Sequence, residues 1–282
     1  MTSLRLFLLF ITLTTTSITV CAQKVDIGAS IGGAYYYGDV VNEVTPSTIR
    51  PTIGGFIRYH LTSRFAVRAN GLYARISGDD RLSTSEWQQE RDFRFYTDIL
   101  EASGVFEFNL IDDRNTGRRI RNPYIPYVFG GVGIFYYRPG TDIFGRDQSL
   151  RPLQLSGVAY SEYGVCMPFG IGLRYYAFGN FLIGAEIGLR YTNTSYLDDI
   201  GNNDRYVDPA STPFPKATEF VYNRTGANRN PGDYRGKLGL SNFNYNDFYM
   251  LGTFTVSYKL GKRLGTKGRS YGGKAIRCPR FY

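Results

Sequence analysis

The sequence predicts an all-β fold: one eight-stranded, antiparallel, up-and-down β-barrel that crosses a membrane, preceded by a cleavable signal peptide. Three observations lead there. The first is long, nearly error-free alternation. In Gly164–Tyr176 the positions Val165, Met167, Phe169, Ile171, Leu173 and Tyr175 are apolar or aromatic, while Gly164, Cys166, Pro168, Gly170, Gly172 and Arg174 between them are small or polar. Phe181–Thr192 repeats the scheme, with Phe181, Ile183, Ala185, Ile187, Leu189 and Tyr191 on one side. A dozen alternating residues exceeds the usual soluble strand of about five or six and suits a tilted transmembrane strand of about nine to eleven. The second observation is the rhythm of the connections, and the third is where the aromatic residues gather.

Alternation and turn residues together mark eight strands, at 25–37, 50–61, 64–77, 97–110, 123–137, 163–178, 180–193 and 246–260. Leu61-Thr62-Ser63-Arg64 and Phe178-Gly179-Asn180 are tight turns, and 111–122 is a polar turn of middling length. The others, 38–49, 78–96, 138–162 and 194–245, are long. Short turns at one end and long loops at the other mark outer-membrane barrels, and an even strand number returns both termini to the periplasmic side. Tyr59, Phe65, Phe108, Tyr124, Tyr175, Phe181 and Tyr258 fall near the short turns, forming one expected girdle. Tyr35, Tyr37, Tyr73, Tyr136, Tyr191 and Phe248 fall near the long loops, forming the other. Such rings are favoured at a bilayer interface because one edge stays wet while the face meets lipid.

Strand parity also predicts the interior. Arg58, Arg68, Glu101, Glu107, Arg174, Glu186, Arg190 and Lys259 share the inward register. Eight strands enclose a lumen only wide enough for side chains to fill, and acids set beside bases there can pair rather than stay uncompensated. The expectation is a plug of ion pairs, not a pore. Pro126 and Pro168 remove ladder donors and imply bulges or interruptions. The run Val-Phe-Gly-Gly-Val-Gly-Ile-Phe at 128–135 fits both registers, which leaves the facing of its strand open.

The N-terminus reads as an export leader over residues 1–22. Arg5 is its positive start, Leu6–Leu13 its apolar core, and Val20-Cys21-Ala22 a small-residue cleavage site. Val20 before Cys21 argues against lipidation. No other segment carries an apolar run long enough to span as a helix. Residues 23–260 then form the barrel domain and 261–282 a periplasmic tail. Of the net charge of +9, Lys262, Arg263, Lys267, Arg269, Lys274, Arg277 and Arg280 in the tail supply seven and Arg5 an eighth, so the barrel itself is nearly neutral. An exported chain whose basicity is confined to a tail is not a nucleic-acid partner. Cys166 within a strand and Cys278 in the tail are not placed to form a structural disulfide.

Chemistry is scarce. The chain has one histidine, His60, beside a short turn, and no second histidine to hold a metal. No Ser/His/Asp arrangement can be built at the long loops. The pairs Asp79/Asp80 and Asp198/Asp199 read as solvated or capping residues. Tyr196–Asp208 gathers oxygen ligands beside Gly201, but without EF-hand spacing and with Arg205 intruding, so it reads as a hydrogen-bonded loop. Gly130-Gly131-Val132-Gly133 has no helix after it and reads as close packing rather than a nucleotide fingerprint. The chain is expected not to be an enzyme and to need no cofactor or metal.

Several phrases resemble a known family: Gly33-Ala-Tyr-Tyr-Tyr-Gly-Asp-Val40, Ala74-Arg-Ile-Ser-Gly-Asp-Asp80, the run Pro126–Pro139 and Tyr196-Leu-Asp-Asp-Ile200. With the barrel architecture, they resemble the PorG-type outer-membrane proteins of the type IX secretion apparatus and their uncharacterised relatives. The likeness runs from about residue 25 to 260. It implies a non-enzymatic outer-membrane subunit of a Gram-negative bacterium that contacts the periplasmic ring proteins of that machine. The seven basic tail residues lie outside the matched phrases and are candidates for docking on their charge alone. The alternative is a stand-alone OmpA-like barrel, porin-like in fold, that serves surface binding or membrane integrity. In either case the expected surroundings are outer-membrane lipid.

Overall fold

The computed structural model describes residues 25–38, 46–83, 89, 93–113, 123–143, 146–155, 157, 159–201, 208–224 and 246–260. The leader, the basic tail and Cys278 lie outside the described residues. The chain forms β1 (Val25–Tyr37), β2 (Arg50–His60), β3 (Phe65–Asp79), β4 (Arg94–Asn109), β5 (Tyr124–Ile143), β6 (Arg146–Ser149), β7 (Tyr163–Phe178), β8 (Phe181–Thr192) and β9 (Phe248–Lys259). All neighbours pair antiparallel. The ladder runs β4-β3-β2-β1-β9-β8-β7-β5, and β5 pairs back onto β4, so eight strands close into a barrel with no open edge. β6 is a short addition that folds back on the far end of β5. Among the described residues no helix is long and apolar enough to cross a membrane; the crossing is made by strands.

The alternation separates two faces. Val132, Ile134, Ile31 and Phe254 point outward and are 64%, 66%, 64% and 73% exposed. Soluble proteins rarely leave contiguous apolar surface beyond a few hundred Å², and here the belt runs along every long strand. Hydrocarbon is the solvent that covers it. Aromatic residues edge the belt as expected, with Phe65 packed on Phe108 and Tyr124 on Tyr175 at the short-turn end, and Tyr37 stacked on Phe248 at the other. Tyr35 departs from the expectation: it is only 5% exposed and packs within the core cluster rather than lying open in the girdle.

The undecided strand is settled by burial: Ile125, Tyr127, Phe129, Phe135 and Tyr137 face inward on β5. Pro168 interrupts pairing with β5, since the ladder skips from Gly130↔Phe169 to Gly133↔Cys166, yet the register is unchanged across the gap and no bulge forms. The irregularity lies elsewhere, at Tyr176/Phe178, beside Gly179 in the tight turn with φ 55°. That positive φ is why glycine stands there. β5 runs six residues past its expected end and turns into β6, because polar loop residues can still complete a ladder above the membrane. The helix α1 (Pro215–Arg224) was not legible in the sequence either.

Inside, the barrel has two storeys. Toward the long loops, Tyr36, Ile76, Phe95, Ile99, Phe135, Tyr137, Tyr249 and Leu251 make an apolar core. It continues upward into loop residues Leu150, Leu153, Leu155, Leu197 and Ile200 and into Val221 of α1. These loops therefore form a packed cap over the outer mouth. Toward the short turns the interior is ionic.

Candidate functional site

The lower storey is built by the inward registers of seven strands. Asp26 on β1 stands opposite Arg58 on β2, which stands opposite Arg68 on β3. Arg58 Nε donates to Glu107 Oε2 at 2.8 Å, and its Nη1 lies 3.3 Å from Asp26 Oδ2. Glu107 is also ion-paired with Arg68, whose Nε lies 3.0 Å away, and with Arg174, whose Nη1 lies 3.4 Å away. Arg68 forks onto both oxygens of Glu186, whose Oε1 accepts the Tyr127 hydroxyl as well. Arg174 donates to Asn109 Oδ1. Guanidinium faces are sandwiched by rings: Arg174 lies 4.4 Å above Tyr127, and Arg68 sits 5.3 Å from Phe56 and 5.2 Å from Phe129.

Three carboxylates (Asp26, Glu107, Glu186) thus meet three guanidiniums (Arg58, Arg68, Arg174), all at most 8% exposed. Neutrality is what makes the burial tolerable, because a lone charge in so dry a place costs far more than a matched set. One level higher, Arg190 Nε lies 3.4 Å from Glu101 Oε2, which also accepts the Tyr249 hydroxyl at 2.7 Å. At the inner mouth, Lys259 Nζ reaches Asp113 at 3.3 Å and the Tyr176 oxygen at 3.0 Å. Lys259 is the one member of the predicted set at the rim rather than in the interior.

Two partners escaped the sequence reading. Asp26 was missed although its parity on β1 is the inward one. His60, which the sequence placed either at the interface or inside, is interior, with Nε2 2.8 Å from Asp26 Oδ2. Asp113 belongs to a turn and folds back to stopper the barrel, which no strand pattern could reveal.

The acidic pairs in the loops hold structure. Asp80 Oδ2 accepts from Phe93 N at 2.9 Å, and Asp79 caps the turn that follows, accepting from Arg81 N at 3.1 Å. The Tyr36 hydroxyl lies 2.8 Å from Asp198 Oδ2 and 3.0 Å from Asp247 Oδ1. Asp199, in the left-handed region at φ 70°, receives the hydroxyl of Tyr160. Burial, and then the Asp199 carboxylate, hold that hydroxyl well above the usual tyrosine range. Tyr160 in turn stacks between Tyr137 and Tyr196. Among the described residues no cluster of three His, Cys, Asp or Glu side chains is placed to hold a metal.

One cleft opens at the outer rim. It has a volume of about 390 Å³ and lies between the ends of β2, β3, β4 and β5, with Arg50, Ser77, Arg94 and Tyr96 among its walls.

A family model described as "Domain of unknown function (DUF6089)" matches residues 4–209. The chain belongs to this family. The DUF6089 match ends before β9, the strand that closes the barrel. No curated protein sequence matches this DUF6089 chain. Among solved structures it is similar to neisserial surface protein A, at 12% identity and a TM-score of 0.41, covering 84% of this chain and 97% of the other. A major outer membrane protein from Thermus thermophilus is similar at 11% identity and a TM-score of 0.41, covering 83% and 98%. OprG from Pseudomonas aeruginosa follows at 10% identity and a TM-score of 0.35, covering 84% and 97%. The barrel assignment rests on the closed ladder itself.

Proposed function

We propose that this protein is a non-enzymatic, non-conducting barrel of a Gram-negative outer membrane, with both termini in the periplasm, whose work is done by the surfaces it presents. One observation carries the reading: among the described residues, buried side chains occupy the lumen at every level. Ion pairs occupy its lower half, an aromatic core its upper half, and the loop cap and Asp113 close its two mouths. Such packing among the described residues opposes a solute path, and the loop carboxylates Asp80 and Asp198 are held in structural hydrogen bonds. The surfaces left for function are the outer rim and whatever segments extend into the periplasm.

The experiment is conductance of the full chain in a planar bilayer. A filled barrel gives no steady current above the bare membrane. Sustained openings of porin size would overturn the reading.

A second reading narrows the first: a structural subunit of the type IX secretion apparatus. The four phrases that resemble PorG-type proteins favour it, as does a tail with seven basic residues and no acid, which suits an anionic docking partner. Pull-down with the full chain should then retrieve the periplasmic ring proteins, and deletion of residues 261–282 should release them. Normal secretion in a deletion strain, with no co-purification, leaves the stand-alone barrel.

A further inference from the structure

Across β3, β4 and β5 the outward side chains lie in register as rows. Tyr73, Leu100 and Tyr136 form one row, the upper edge of the apolar belt. The next row toward the long loops is Arg75, Asp98 and Arg138. Two residues of strand separate the rows, roughly 7 Å along the chain, so this charged row sits where lipid headgroups begin. Its charges do not balance. Arg75 grips Asp98 with both arms, Nε to Oδ1 at 2.6 Å and Nη2 to Oδ2 at 2.8 Å, and the Tyr73 hydroxyl takes Asp98 as well. Asp98 is saturated. Arg138, directly opposite it and exposed, makes no hydrogen bond or ion pair among the described residues.

The cleft described above opens over this row. Arg50 enters it with Nε on Ser77 Oγ at 2.8 Å, and its two Nη groups have no hydrogen-bond partner among the described residues. Arg94 stands on the opposite wall beside Asp79, at 3.5 Å. Arg50 in the cleft and Arg75 and Arg138 in the row beneath it thus line one stretch of rim. The other walls carry hydroxyls, those of Thr48, Ser77 and Thr141 among them. The volume falls in the range of small-molecule sites, about 300–1,000 Å³.

We propose that this rim is a binding site for a phosphorylated glycolipid of the outer leaflet. Its phosphate lies on Arg138 and Arg75, and its sugar enters the hydroxyl-lined cleft beside Arg50 and Tyr96. The inference rests on the membrane placement proposed above. Height selects a headgroup over a free solute: the exposed Arg138 guanidinium stands directly above the tyrosine girdle. Charge selects phosphate, which takes arginine forks well. The cleft selects a sugar-bearing headgroup over a simple phospholipid.

The test uses the full chain reconstituted in phosphatidylethanolamine vesicles, titrated with fluorescent bis-phosphorylated lipid A, the same lipid A dephosphorylated, and inorganic phosphate. Flotation of the wild type with the vesicles comes first; a chain that stays behind fails the membrane reading itself and takes this proposal with it. Arginines near a charged lipid surface are worth roughly fivefold each, so R75Q/R138Q should bind the phosphorylated lipid about thirtyfold more weakly. R138K, which keeps the charge, should recover most of the single-site loss. R64Q, at the opposite end of the barrel, should bind like the wild type. The heat-dependent gel shift of a folded barrel shows that each variant is intact. Equal binding of the phosphorylated and dephosphorylated lipids, or of R75Q/R138Q and wild type, overturns the proposal. Inorganic phosphate bound with the same variant dependence, while the lipid is not bound, overturns the lipid source.

Discussion

Glu107 is the hub of the buried ionic layer, and E107Q is the sharpest test of it. The substitution keeps size and shape but removes the one negative charge that Arg58 meets at 2.8 Å, Arg68 at 3.0 Å and Arg174 at 3.4 Å. Asp26 and Glu186 then face three guanidiniums, leaving one unit of positive charge uncompensated where no side chain is more than 8% exposed. Breaking a buried pair by removing one partner costs about 3–5 kcal/mol. With an m-value of about 3 kcal/mol/M, that moves the urea midpoint down by about 1–2 M. The assay is equilibrium unfolding of the full chain in detergent micelles, followed by tryptophan fluorescence and by gel mobility. The second arm restores neutrality. In E107Q/R174Q two acids again face two bases, and most of the loss should return, although Asn109 forfeits its partner. An E107Q midpoint within about 0.3 M of wild type, which is about 1 kcal/mol at that slope, refutes the charge argument. So does a double variant no better than the single one.

Three further outcomes follow from other parts of the molecule. Val132 points outward within the apolar belt of β5, between Tyr124 and Tyr136 of the two girdles and nearer the second, and is 64% exposed; V132R should cost about 1–4 kcal/mol in bilayers, as arginine does on the lipid face away from the interfaces, and a cost under about 0.5 kcal/mol, normal for a soluble surface, would sink the lipid-facing assignment. A Cβ on Gly131 would lie 2.1 Å from the backbone oxygen of Gly104, which cannot give way, whereas one on Gly71 meets nothing within 4 Å; G131A should therefore lose about 1–3 kcal/mol in refolding yield assays while G71A refolds like wild type. Tyr160 holds its proton in the folded cap to well above the tyrosine range, while an unfolded tyrosine ionises near about 10. Its contribution is thus complete below that pH and is lost as the pH rises, because the unfolded chain sheds a proton the native cap retains. Urea midpoints of wild type should fall more steeply than those of Y160F between pH 9 and about 11, and parallel profiles would remove the Tyr160–Asp199 pair from the cap's stability.

What the sequence disclosed is what period two can carry. Seven strand starts lie within two residues of their expected positions, and β4 begins three residues early, at Arg94 rather than Thr97. A one-residue slip would have turned Arg58 and Glu107 into the lipid, so the register was tightly specified. The same parity identified the ionic interior, because an inward arginine or glutamate on a transmembrane strand has nowhere else to go. The upper storey escaped for the complementary reason. Its inward residues, such as Ile99, Phe135 and Leu251, are as apolar as the lipid face, so composition could not reveal that they meet loop side chains. Leu197, Ile200 and Val221 sit in segments with no periodic signal at all, and only tertiary packing explains their burial. The Arg138 row was hidden in a different way: its meaning depends on which residue stands opposite, and cross-strand register is not written in either strand alone.

The first and last strands of the chain are neighbours, with Asp26–Tyr37 of β1 paired against Phe248–Lys259 of β9. Synthesis therefore delivers both sides of the seam at opposite times. A nascent chain that has reached Thr192 holds seven of the eight barrel strands, yet it presents two raw edges of N–H and C=O groups. In hydrocarbon each such unsatisfied group costs several kcal/mol. No partial sheet has a stable place in the bilayer, so entry and closure become a single late event that waits on the C-terminal strand. The intervening residues, 193–247, must be kept from collapsing across the open mouth until that strand arrives. Biogenesis of this barrel is consequently governed from its far end: losing a few residues of β9 should remove the protein from the membrane altogether, whereas the same loss from an outer loop would leave it there.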